Sequence, residues 1–314
     1  NKGGKNKNLF EGFVGHHYLS NKPSERTPKN YYELVTHYHS LFRAEAQLID
    51  INADGRTGKV RPNRDPDSPF HYPDTASSRA GITGISERLK GQKIGIIGLG
   101  GTGAYALDLL AKMPVSEIHC FDDDVFEAHN AFRAPGAASL EEVNAGQPKV
   151  NYLHEMYRVF HHGIVPHAMR IDEQSLDLFG VLDFVFICID DGPSRLLITR
   201  YLAEIGVPFI DVGIGMDVRE LPEGGERLSA TCRVTLGASG RTDHLDRCLD
   251  YSSPTEGDVY ASNIQSAPIN SLNASLAVVR WLQYVGAMWD DHSPYQLLLN
   301  ASFMSLVRSE GEES

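Results

Sequence analysis

The chain has 314 residues, 41% hydrophobic and 22% charged, a globular balance that excludes disordered, collagen-like and disulfide-framework classes. Its formal net charge is −12, and basic residues cluster only in the short start NKGGKNKN, so sequence-independent nucleic-acid binding is excluded as well. Residues 1–75 mix aromatics and histidines with turn formers. They read as an amino-terminal appendage with a helix at about 31–49 and a breaker-rich, extended connection after it.

From about residue 85 strand and helix patterns alternate. KIGIIGLG (93–100) is a continuous apolar run suited to a strand buried on both faces, and a helix follows it up to Pro114. Further strands are expected at 117–122, 165–170, 183–190, 208–213 and 228–237, with helices at about 141–160, 173–179 and 193–206. An irregular crossover segment, about 238–266, leads to a long helix and a last strand candidate, YQLLLNASFMSLV. This alternation predicts an α/β, doubly wound, Rossmann-like fold, with a mostly parallel sheet and helices on both faces. The main domain is read as 76–314. No apolar run approaches a membrane span and no signal peptide is seen, so the expectation is a cytoplasmic chain without membrane or nucleic-acid partners. Cys120, Cys188, Cys232 and Cys248 form no CxxC pair, so no zinc is expected.

Gly98-Leu99-Gly100-Gly101-Thr102-Gly103 joins a predicted strand to a predicted helix. Glycines there let the backbone approach a phosphate that sits on free helix N–H groups. Asp122 ends the next strand, about twenty residues on, where a carboxylate binds an adenosine ribose. A nicotinamide oxidoreductase and an ATP enzyme use these features alike. The material after Asp122 separates them: Asn130, Arg133 and Lys149 supply an amide and two cations that a triphosphate needs and a hydride-transfer site does not. Asp190-Asp191 closes a later strand, well placed to hold hydrated Mg²⁺.

GLGGTG, the pattern D-x-D-x-x-x-x-x-N-x-x-R, GQPK and the strand ending in Asp190 together resemble the adenylation domain of the ThiF/MoeB/HesA superfamily, the ubiquitin-activating-enzyme-like adenylyltransferases. DTASSRAGI, FRAPGA and NIQSAPINSLNAS are similar to its bacterial ThiF-type branch. The resemblance implies that Gly98, Gly100, Gly101 and Gly103 contact the ATP phosphates and that Asp122, in the pattern shared with Asp124, holds the ribose. It further implies that Asn130, Arg133 and Lys149 bind the triphosphate and that Asp190 binds Mg²⁺. Arg79 would match an arginine that reaches across a homodimer into the partner's site. The implied reaction is adenylation of the C-terminal carboxylate of a ubiquitin-like protein, for transfer to a conjugating-enzyme-like partner. An inactive scaffold docking such a partner is the third reading.

The zinc-binding CxxC pairs of the family are missing here. An acyl acceptor is equally open: Cys248, a hydroxyl among residues 229–262 led by Thr235 and Ser239, or none, with the partner capturing the adenylate. His16-His17 and His161-His162 read as surface or packing residues, and the triplets at Asn273 and Asn300 carry no glycosylation meaning.

Overall fold

The computed structural model describes residues 2–10, 13–21, 28–55, 67–252 and 264–310. The chain divides into two compact units, Asn1–Arg61 and Pro62–Ser314. In the first, β1 (Lys2–Phe10) and β2 (Phe13–Ser20) pair as an antiparallel hairpin, which the composition of that stretch does not announce. Helix α1 (Tyr31–Gln47) begins at Asn30, whose Oδ1 accepts from the Glu33 N–H at 2.9 Å and satisfies one of the free donors of the first turn.

The second unit opens with short helices α2 (Thr75–Ala80) and α3 (Thr83–Ser86). Strand β3 (Lys93–Ile97) leads into α4 (Gly101–Leu110), and β4 (Glu117–Phe121) into α5 (Ala128–Ala131), α6 (Leu140–Asn144) and α7 (Lys149–Tyr157). Next come β5 (Ile164–His167), a 3-10 helix at Leu176–Val181, β6 (Phe184–Ile187) and α8 (Gly192–Ile205). Strands β7 (Phe209–Glu220) and β8 (Glu226–Gly237), helices α9 (Leu245–Cys248) and α10 (Ala267–Tyr284), and strands β9 (Gln296–Asn300) and β10 (Ser305–Ser309) complete it.

Eight strands form one mixed sheet in the order β10-β9-β8-β7-β6-β3-β4-β5. The half from β5 to β7 is parallel, and β7 to β10 is antiparallel. Ile94 and Ile96 of β3 pack with Leu107, Leu153 and Trp281 of α4, α7 and α10 on one face. Ile97 packs with Phe179 and, on α8, Ile198 and Leu202 on the other. Burial on both faces is why β3 and β6 are continuously apolar. The chain steps from β3 outward to β4 and β5 and then returns to β6 on the other side of β3. The carboxyl ends of β3 and β6 therefore meet at the point where the strand order reverses, where an open α/β sheet leaves a crevice.

Three expected elements differ. The helix expected at 141–160 is two helices, because Gly146 takes φ +62° and Pro148, which has no N–H, starts α7. The last strand candidate is a hairpin, β9 and β10, turned through residues 301–304. The stretch at 173–179 is the 3-10 helix at 176–181. Among the described residues no helix is long and apolar enough to cross a membrane.

Candidate functional site

A cleft of about 910 Å³ opens at this switch point, lined among others by Gly98, Gly100, Asp122, Arg133, Lys149 and Asp190. The glycines of the loop serve different ends. Gly98 has φ +85°, and a Cβ there would lie 2.6 Å from the Cys188 carbonyl oxygen, so only glycine fits between β3 and β6. A Cβ at Gly103 would lie 1.8 Å from the Gly98 carbonyl oxygen, so its absence lets α4 start directly off the strand. A Cβ at Gly101 would overlap the Asn270 amide. Gly100, which caps α4, has no heavy atom within 4 Å of a Cβ position among the described residues and lines the cleft.

Asp122 organises the loop from the neighbouring strand. Its Oδ2 accepts from the Leu99 N–H at 2.6 Å and its Oδ1 from the Asp124 N–H at 3.0 Å. Burial pushes its carboxyl above the ordinary carboxylate value; Lys149 opposes this first, then the two N–H donors. Lys149 is 5% exposed and places Nζ 2.5 Å from Asp124 Oδ2 and 3.6 Å from Asp122 Oδ1. The break between α6 and α7 makes this possible: the Phe126 N–H donates to the Gln147 carbonyl and the Lys149 N–H to that of Asp124, both at 2.9 Å. The Gly-Gln-Pro-Lys segment is thereby stitched to the loop after β4.

Asn130 is buried in a capping box at the start of α5, its Oδ1 accepting from the Glu127 N–H at 2.9 Å. Its Nδ2 and the Arg133 Nε are buried with no hydrogen-bond partner among the described residues. Burial lowers the Arg133 pKa from the arginine value, while Asp190 and then Asp124 act to restore it. Buried donors without acceptors are costly, and here they belong to the two residues that the sequence assigns to an anionic ligand.

Asp190 and Asp191 have separate roles. Asp191 caps α8, accepting from the Ser194 N–H at 2.9 Å, and hydrogen bonding from the Ser194 side chain first, then from its N–H, holds its carboxyl below the ordinary value. Asp190 lines the cleft with Arg133. The carboxylates of Asp122, Asp123 and Asp124 also come within 4.8 Å of one another.

Sequence reasoning missed three residues that line the cleft, Asn273, Arg195 and Arg233, and Asn270 and Asp211 that bond beside them. On α10, Asn270 Nδ2 donates to the Arg133 carbonyl at 3.1 Å, and Asn273 Nδ2 donates to that of Gly213 at 3.2 Å. Asn273 Oδ1 is buried without a partner among the described residues. Their i, i+3 spacing on a helix was the available signal. Arg195 and Arg233 share the fully buried Asp211, at 2.9 and 2.6 Å, and nothing local in the sequence links these three.

Arg79 is exposed on α2 and is not among the residues that line the cleft of its own chain. None of the three named acceptor candidates lines it either. Thr235 is fully buried, its hydroxyl accepting from Arg233 Nη1 at 3.0 Å and Gln296 Nε2 at 3.3 Å. Ser239 lies two residues beyond Gly237, which pairs with Phe209 at the start of β7, so it stands at the sheet edge opposite the glycine loop. Cys248 is half-buried on α9, and burial raises its thiol above the ordinary value. Ser262 and Ser253, also within the expected acceptor range, lie outside the described residues.

The ThiF family model matches residues 75–309, and the model described as Domain of unknown function (DUF6791) matches residues 1–75. Ubiquitin-like modifier-activating enzyme 5 of Culex quinquefasciatus is 25% identical over 150 residues, 44% of this chain and 38% of that protein. The Xenopus laevis enzyme of the same name is 24% identical over 183 residues, 54% and 46% of the two chains. This chain thus spans under half the length of these relatives. Among solved structures, E. coli MccB with MccA-N7isoASN superposes with a TM-score of 0.60 at 16% identity, over 92% of this chain and 82% of the other. PaaA superposes with a TM-score of 0.60 at 16% identity, over 96% and 93%. Both share the fold. The ThiF match runs from α2 to β10 and takes in the glycine loop, both cations and Asp190, and the chain belongs to the ThiF family.

Proposed function

We propose that this chain is an ATP- and Mg²⁺-dependent adenylyltransferase acting on the C-terminal carboxylate of a ubiquitin-like protein, with a conjugating-enzyme-like protein as the next acceptor. The observation that carries the reading is the convergence in one cleft of a glycine loop at a helix start, the carboxylates of Asp122 and Asp190, and the cations Arg133 and Lys149. Family membership and the structural likeness to MccB, a protein also solved with ATP, support it.

In the proposed reaction a carboxylate oxygen of the substrate attacks the α-phosphorus of ATP. The bond to the bridging oxygen breaks and pyrophosphate leaves, so the products are the acyl adenylate and pyrophosphate. Two anions must approach, and the demand is for positive charge rather than for a general base. Free N–H groups at the start of α4 receive phosphate oxygens next to Gly100, the glycine that faces open space. Arg133 lines the cleft and brings its charge to the nucleotide, Asn130 lies buried beside it with an Nδ2 that has no partner among the described residues, and Lys149 exchanges Asp124 for a phosphate. The donor set suits Mg²⁺: Asp190 offers a hard carboxylate oxygen at the end of a parallel strand, beside cations that keep the ligand's phosphates near it. Bound there, Mg²⁺ shields the phosphate charge. Arg79 belongs to this proposal as the partner subunit's contribution in a homodimer. The nicotinamide reading leaves Arg133 and Lys149 without a task.

Thr235 lies inside the sheet, Ser239 at the far edge, and the Cys248 thiol is raised; of the expected hydroxyl range Thr231 does line the cleft. The reading ends at the adenylate, which the partner captures, with Thr231 as the hydroxyl to test for a covalent adduct. The test is exchange of labelled pyrophosphate into ATP, with and without candidate ubiquitin-like proteins. Exchange that depends on a free C-terminal carboxylate is the expected result. Tight NAD binding with no ATP binding would overturn the reading.

A further inference from the structure

Arg195, in the first turn of α8, is 7% exposed, and its guanidinium holds three separate segments. Nε donates to Asp211 Oδ2 at 2.9 Å, Nη1 to the Asp250 carbonyl at 2.7 Å and Nη2 to the Ile189 carbonyl at 2.5 Å. Asp211 neutralises the charge, as it also does for Arg233. The two backbone contacts are more than a buried cation requires for pairing, and both bear on the cleft.

The Ile189 carbonyl belongs to the peptide that joins Ile189 to Asp190. Holding that peptide plane sets the backbone from which the Asp190 side chain departs. The Asp250 carbonyl opens residues 250–252, which press on the start of α8: a Cβ at Gly192 would lie 2.1 Å from the Ser252 carbonyl oxygen. One planar fork thus ties the end of β6 to β7 and to the middle of the crossover segment. A lysine offers a single nitrogen and cannot make three such diverging contacts at once.

We infer that Arg195 is a positioning residue for Asp190, presenting its carboxylate to the divalent cation that arrives with the nucleotide. The inference rests on the adenylation reading, and its test separates the two. Mn²⁺ binding to the full chain with ATP is titrated by electron paramagnetic resonance, and ATP binding without metal by calorimetry. Arg195→Lys is expected to weaken Mn²⁺ binding about tenfold, the effect of losing a residue that orients a metal ligand, and to change metal-free ATP binding less than about twofold. In an Asp190→Asn background the same substitution should add almost nothing, because its route to the metal is already removed. Guanidinium added to Arg195→Ala should restore part of the Mn²⁺ affinity, which covers the case in which the lysine variant folds poorly. Equal losses in both backgrounds, or a loss of ATP and Mn²⁺ binding together without rescue, would make Arg195 a packing residue and overturn the inference. Wild-type protein that binds ATP and Mn²⁺ while Arg195→Lys matches it would overturn the inference alone. Wild-type protein that binds neither would take the adenylation reading down with it.

Discussion

Lys149 is held between Asp122 and Asp124 at a cleft whose ligand is expected to be anionic, so its ion pairs are exchangeable rather than final. Replacing it with methionine keeps the stem that packs at the start of α7 and removes the charge. Lys149→Met should slow pyrophosphate exchange on the order of a hundredfold, the scale on which a transition-state cation acts. Exchange at the wild-type rate would remove Lys149 from the phosphate site. A second residue-scale consequence concerns acid stability. His161 is fully buried, its Nε2 against the Val115 carbonyl at 3.0 Å and its Nδ1 accepting from the Gly163 N–H at 3.1 Å. An acceptor nitrogen has no room for a proton, and burial pushes the pKa down to about 4 from 6.5. Between these values the unfolded chain binds more protons than the folded one, so stability falls as pH drops through that interval. Chemical denaturation across pH 4–7 should show this slope, and His161→Leu, although less stable at pH 7, should flatten it. Identical slopes would assign the acid sensitivity elsewhere.

At the scale of elements, the loop between β3 and α4 separates folding from binding within six residues. A methyl group at Gly103 collides with the Gly98 carbonyl, which α4 cannot avoid without leaving β3. A methyl group at Gly100 meets no heavy atom within 4 Å among the described residues and enters the cleft, where the proposal places a phosphate. Gly103→Ala should therefore lower the melting temperature by several degrees, as a loss of about 2 kcal/mol would. Gly100→Ala should melt like the wild type while its ATP affinity falls about tenfold or more. Thermal melting with and without ATP checks both, and a Gly100→Ala protein that binds ATP normally would move the phosphates away from the loop. The same logic explains why one expected helix is two. Gly146 and Pro148 break it so that Gln147 and Lys149 bond to the chain after β4, and the break delivers the lysine.

For the whole molecule, the position of Arg79 matters most. It is exposed on α2, outside the cleft of its own chain, so its proposed role needs a second copy. Light scattering should give twice the mass of this chain. Arg79→Ala and Asp190→Asn proteins should each be inactive alone, and a re-equilibrated mixture should regain up to about a quarter of wild-type exchange, since one mixed dimer site in two is intact. A mixture as inactive as its parts would confine Arg79 to its own surface.

Much of this was readable from residue order because it depends on neighbours in the chain. The apolar runs of β3 and β6 follow from burial on both faces. Gly98 to Gly103 announce a tight strand-to-helix turn, and the spacing of Asp122, Asn130, Arg133 and Lys149 lies within one strand–helix unit. The ThiF resemblance rests on those same local patterns. What depends on pairing between distant segments was not readable. Register puts Phe209 opposite Gly237 and so sends Ser239 to the wrong edge of the sheet, while Thr235 disappears into the hydrogen bonds of Arg233 and Gln296. A helix start claims Asp191 as its cap and leaves Asp190 to the cleft. Arg195, Asp211 and Asp250 meet only because α8 packs across β6 and β7, and Asn270 and Asn273 reach Arg133 and Gly213 only because α10 lies over the same end of the sheet. Short-range spacing decides which residues can turn, pair or span, whereas the crossovers and the strand register decide which of them share a site.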